Sequence, residues 1–60
     1  MKYFYNGARI TERNARDNFF SNWRMKGMSD EDIEQYWSDC QHEEDSRDIF
    51  MPDGLEMMQD

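Results

Sequence analysis

SDEDIEQYWSDCQHEEDSRD, residues Ser29 to Asp48, opens as a helix opens. The Ser29 hydroxyl can cap the first turn, and Asp30, Glu31 and Asp32 put negative charge at the positive end of the dipole. Ile33, Tyr36, Trp37 and Cys40 then recur at i, i+3, i+4 and i+7, one apolar stripe at helical period. Nine carboxylates stand in these 20 residues against a single base, Arg47. The pattern predicts a helix over 29–48 that buries one face and holds a dense negative field on the other.

Upstream, Thr11 is placed to cap a second helix, with Glu12 favourable in its first turn. Over 12–27, Ala15, Phe19, Phe20 and Trp23 share one side, while Asn14, Asn18, Ser21 and Asn22 lie on or near the other. Arg16 falls four residues before Phe20, so its stem can pack over that ring and its guanidinium can meet an acid of the 29–48 helix. Gly27 ends the helix, and the two-residue link to Ser29 implies a helical hairpin.

At the N-terminus Lys2-Tyr3-Phe4-Tyr5 and Ala8-Arg9-Ile10-Thr11 flank Asn6-Gly7, whose residues both accept positive φ. That is the strongest short signal for a β-hairpin, here over 2–11. Alternation puts Tyr3 and Tyr5 on one face and Phe4 on the other. At the other end Met51-Pro52-Asp53-Gly54 is a turn, since proline pre-sets φ and glycine supplies a left-handed position. Leu55 to Met58 follow as a short strand within 52–58, expected to pair with residues 2–5. The fold class is α+β in one domain, 1–60: a hairpin, two antiparallel helices and a closing strand.

So short a chain buries only about 60% of its unfolded surface. One cysteine excludes an internal disulfide and a zinc site built mainly of cysteine. Core area must come from the nine aromatic residues or from self-association, and a homodimer is a common remedy in chains of this size. No charged-then-apolar leader or 20-residue apolar run stands in the sequence, so the expected location is cytoplasmic, away from membranes. Residues 1–28 hold six bases and two acids, whereas 29–60 hold one base and twelve acids. The two halves attract, but the net charge of −7 leaves an excess that must face solvent or a basic partner. Direct binding to nucleic acid is disfavoured by the same excess.

Catalytic chemistry finds little support. The one histidine, His42, follows Cys40 by two residues, about 200° around a helix, too far apart for a nucleophile–base pair. No two of the fourteen acids are marked as a catalytic pair, so no enzyme is expected and no catalytic residue or cofactor is assigned. The Asp30-Glu31-Asp32 run suggests calcium, but Gln35 and Gln41 stand where an EF-hand loop needs glycine and glutamate. Asp39, His42 and Glu43 have helical spacing that could hold an adventitious ion, and no functional metal is assigned to them.

The acids themselves are the sharper signal. On one helix, Asp30, Glu31, Glu34, Asp45 and Asp48 would fall within an arc of about 100°, a ridge roughly 27 Å long, with Asp39 and Glu44 as neighbours. Carboxylates one turn apart repel, which costs helix stability. The structural explanation is a solvated face that keeps a small protein soluble. The functional one is a surface resembling the phosphate ladder of nucleic acid, which would enter the basic groove of a nucleic-acid-binding protein. Phe19, Phe20, Trp23, Tyr36 and Trp37 are expected in the core, and Tyr3 or Tyr5 is the candidate interface anchor on an exposed sheet face.

With its opening KYFYNGARIT, the helix pattern A-x-x-x-F-F-x-x-W, the second start G-M-S-D-E-D and the closing D-G-L-E-M-M, the chain resembles short bacteriophage proteins. Small acidic proteins of that kind include anti-CRISPR proteins and other inhibitors of host defence nucleases, several of them DNA mimics. The resemblance lies in layout and size. It implies an inhibitor acting in the host cytoplasm on a larger basic partner such as a CRISPR effector nuclease. Two other classes fit the same layout: a phage structural or assembly protein acting by self-association, and a regulator that binds polymerase or a repressor.

Overall fold

The computed structural model describes residues 1–59. Two short strands, β1 (Lys2–Tyr5) and β2 (Ala8–Ile10), precede the helices α1 (Glu12–Met25), α2 (Asp30–His42) and α3 (Glu44–Phe50), and β3 (Leu55–Met58) closes the chain. The sheet is antiparallel with order β2-β1-β3. Asn6 and Gly7 take φ of 51° and 85°, both positive as a type I′ hairpin requires. Tyr3 opposes Ile10 on one side and Met57 on the other, so the two ends of the chain meet at the central strand. The α+β layout expected from the sequence is the one observed.

α1 and α2 each start on a side-chain cap, whereas α3 starts at Glu43 without one. Thr11 Oγ1 accepts from the Asn14 amide at 3.2 Å, and Ser29 Oγ accepts from the Asp32 amide at 3.4 Å. Such caps contribute about 1 kcal/mol each. α1 ends at Met25, two residues short of the expected 12–27 span, in a Schellman motif. Gly27, at φ 89°, donates to Arg24 O at 2.9 Å, and Met28 donates to Trp23 O at 3.2 Å. The motif turns the chain directly into Ser29.

The core lies between the sheet and the helices. Tyr3, Ala15, Phe19, Phe20, Ile33, Trp37, Cys40, Leu55 and Met57 are buried. Phe19 sits edge-on to Trp37, with centroids 5.2 Å apart, and Tyr3 stacks on Trp37 at 6.0 Å. Of the two candidate anchors, Tyr3 is therefore a core residue, 5% exposed, and not on an exposed sheet face as expected, while Tyr5, at the end of β1, is 39% exposed. Alternation explains the correction: the face that Tyr3 shares with Ile10 and Met57 is the one the helices cover, and Phe4 lies on the open side. A second aromatic group joins Trp23, Tyr36 and Phe50, with Tyr36 stacked on Phe50 at 4.0 Å. Trp23 Nε1 donates to Phe50 O at 3.1 Å, which ties α3 back to α1.

The helix expected over 29–48 is two helices. It stops at His42, and Glu43 is extended at φ −126°, ψ 121° before α3 begins. An unbroken helix at 100° per residue would have put Arg47 inside the apolar stripe of Ile33, Tyr36 and Cys40, and would have carried Phe50 away from Tyr36. The break lets Phe50 return to Tyr36 and turns Arg47 toward the open carbonyls of α2.

Gly54, in the turn before β3, has φ 87°. An added Cβ there would lie 2.5 Å from Asn6 Oδ1. The left-handed backbone costs a non-glycine residue about 1–2 kcal/mol, before any shift of Asn6. Gly54→Ala should lower the thermal midpoint by several degrees and loosen β3 first, visible as faster amide exchange at Met57 than in α1.

Candidate functional site

Three acids open α2, and on its α1-facing edge two of its acids pair with arginines of α1. Arg24 Nε donates to Asp30 Oδ1 at 2.9 Å, and Arg16 pairs with Glu34. Both arginines lie over the Phe20 ring, with guanidinium carbons 4.5 Å and 5.5 Å from its centroid. The expected packing of Arg16 across Phe20 onto an acid of α2 is present. Glu31 and Asp32 stand outside that seam and are exposed. Asp39 is half-buried and accepts from Gln35 Nε2 at 3.0 Å.

α3 differs. Glu44, Asp45 and Asp48 are exposed, and none is ion-paired among the described residues. The one base of residues 29–60, Arg47, is 9% exposed and turned inward. Its Nε donates to Cys40 O at 2.6 Å and its Nη2 to Gln41 O at 3.3 Å. The guanidinium thus satisfies carbonyls that the end of α2 leaves open, and its charge is spent on backbone dipoles. Ser46, also buried, donates through Oγ to Glu43 Oε2 at 3.1 Å and accepts from the Cys40 thiol through its carbonyl at 3.6 Å.

The five-residue arc of Asp30, Glu31, Glu34, Asp45 and Asp48 does not survive the break at Glu43, because the five no longer share one helix. In its place are two groups. One, on α2, has Asp30 and Glu34 tied to arginines with Glu31 and Asp32 beside them. The other, on α3, extends across to β3: Glu44 and Asp48 line one hollow with Met57 and Met58, and Asp48, Asp53 and Glu56 line the adjoining one. Asp53 and Glu56 escaped the sequence reading because only the α3–β3 approach brings them to Asp48. The available signal was Arg47, a lone base in an apolar stripe, which marks a helix that cannot continue.

Other chemistry is sparse. Burial first, then the Asp39 charge, pushes the Cys40 thiol up to about 11 against the opposing pull of Arg47. The thiol stays protonated at neutral pH and is a poor nucleophile. Since the folded value exceeds the ordinary one, its contribution to stability is complete below pH 9 and is lost as pH rises through 11. The Tyr3 phenol is also raised, by burial first and then by the Glu12 carboxylate, to which it donates at 3.2 Å. Asp39, His42 and Glu43 do not converge, and no group of three or more His, Cys, Asp or Glu among the described residues could hold a metal ion. No helix among the described residues is long and apolar enough to cross a membrane. No family model, curated protein or solved structure matches the chain.

Proposed function

We propose that this chain is a protein-binding inhibitor that lays its acids into the nucleic-acid-binding groove of a larger basic protein in the cytoplasm of a bacterial host. A defence nuclease of the CRISPR effector class is the partner that the layout of the sequence suggests. The observation that carries the reading is the outward charge of α3: Glu44, Asp45 and Asp48 are exposed, while the nearest base, Arg47, is committed to the carbonyls of Cys40 and Gln41. Three like charges on a seven-residue helix repel one another, and a row of arginines or lysines would relieve that repulsion. Binding, not catalysis, is the activity expected of such a surface.

Asp30 and Glu34 contribute less in this reading, since each already has an arginine, although exposed pairs of that kind are worth little and can exchange partners. Glu31 and Asp32 are exposed on α2, and Asp39 is half-buried there; in this reading they add to the negative field. Tagged protein should retain a basic nucleic-acid enzyme from bacterial lysate at low salt and release it to DNA or RNA competitor. With the purified partner, Asp45→Lys combined with Asp48→Lys should weaken binding at least tenfold, by like-charge contact with the groove. Asp30→Asn combined with Glu34→Gln should weaken it less. Full affinity of the α3 variant at both low and moderate salt would refute the reading.

A further inference from the structure

Among the described residues, no layer covers one face of the sheet. Register and burial assign the faces: Tyr3, Leu55 and Met57 point into the core, while Lys2, Arg9, Glu56 and Met58 are exposed and Phe4 is half-buried. On that open face Phe4 is opposite Arg9 in β2 and opposite Glu56 in β3. The three side chains form one row across the sheet, a base, an aromatic ring and an acid. Strand spacing puts Arg9 and Glu56 roughly 10 Å apart, with Phe4 midway.

We infer that this face is the contact between two copies of the chain. The argument is charge complementarity under two-fold symmetry, in which residue i meets j and j meets i. An axis parallel to β1, running between two facing sheets, exchanges left for right along the row. Phe4 then meets Phe4 of the second copy, Arg9 meets Glu56, and Glu56 meets Arg9. One aromatic contact and two charge-assisted pairs form from a single row. An axis across the strands would instead set Arg9 on Arg9, so the row selects one geometry. The two Lys2 side chains approach the axis, but their four-carbon stems let the ammonium groups reach water. Met58, 52% exposed, adds apolar area beside the ring. Lys2 and Arg9 outnumber Glu56 on this face, which offsets the acids Asp48 and Asp53 that line the hollow at its β3 edge.

The same geometry provides its test. Arg9→Glu gives a row with two acids and Glu56→Arg a row with two bases, so each variant repels itself. Mixed together, they place acid on base at both ends of the row. Sedimentation equilibrium of the wild type up to about 1 mM, the weak end of specific affinity, should show mass rising from 7.4 kDa toward twice that value. Each single variant should dimerise at least tenfold more weakly, and their equimolar mixture should regain wild-type mass, as should the double exchange Arg9→Glu with Glu56→Arg. Circular dichroism monitors folding. If a reversal unfolds the chain, Arg9→Gln and Glu56→Gln replace it, and a several-fold loss in each supports the contact. A wild type monomeric throughout, single variants that dimerise unchanged, or a mixture no better than its components would each overturn the inference.

Discussion

Phe19→Ala should leave the chain largely unfolded at room temperature. Phe19 is fully buried and touches three other rings: Phe20 at 6.5 Å, Trp23 at 6.4 Å and Trp37 at 5.2 Å between centroids. It stands where the α1 stripe meets α2, and Trp37 passes the contact on to Tyr3 in the central strand. Truncating a buried phenylalanine costs about 3–5 kcal/mol through lost transfer energy and the cavity left behind. At 0.05–0.15 kcal/mol per residue, a chain of this length has a total stability of about 3–9 kcal/mol. The loss is thus comparable to the whole. The check is a denaturant titration followed by tryptophan fluorescence: the variant should show no native baseline, or a midpoint far below wild type. A shift of under 1 kcal/mol would mean that the rings repack around the gap. Phe19→Leu, which keeps most of the volume, should remain folded with a smaller loss.

Much of this core was legible because it obeys local rules. Ala15, Phe19 and Phe20 recur at helical spacing, Ile33, Trp37 and Cys40 do the same, and Thr11, Ser29 and Gly27 punctuate the helices with groups whose hydrogen bonds the backbone requires. Asn6-Gly7 named its turn for an equally local reason. The pairing of β3 with β1 was readable too, since a turn with proline and glycine leaves a strand-length remnant and β1 has a free side. What failed was non-local. Whether Tyr3 or Phe4 faces the helices depends on which side of the sheet they pack, and alternation alone is symmetric in that choice. The break at Glu43 depends on the gain from stacking Phe50 on Tyr36, a contact between residues in different helices. The acidic ridge failed with it, being a construction on one continuous helix, while the expected meeting of Arg16 with an acid of the second helix held because it needs only α1 beside the first turns of α2.

Arg47→Met should destabilise the fold by more than any other substitution of a charged side chain. Methionine matches the stem in volume but cannot donate. Two carbonyls at the end of α2, those of Cys40 and Gln41, then lose the donors that reach them at 2.6 Å and 3.3 Å. An unsatisfied buried polar group costs about 1–3 kcal/mol, and bonds from charged donors lie at the upper end. Cys40 is fully buried, so water cannot easily replace the donor there, whereas Gln41 is partly open and can recruit it. The expected loss is about 2–3 kcal/mol, offset in part because the buried guanidinium no longer has to be desolvated. Arg47→Lys should recover only part, since a point ammonium cannot span both carbonyls as the planar fork does. The joint should fail before the core: with Arg47 gone, α3 loses its inward anchor and Phe50 its approach to Tyr36. Amide exchange should therefore quicken over residues 44–50 ahead of α1, and the Trp23 indole proton, bonded to Phe50 O, should lose protection with them. If the variant is as stable as wild type with α3 protected, the joint is held by the packing of Phe50 on Tyr36 and Trp23 and by the Trp23 bond to Phe50 O. The acids of α3 would then keep their placement without a buried base, and reversing Asp45 and Asp48 could be tested on that background without disturbing the break at Glu43.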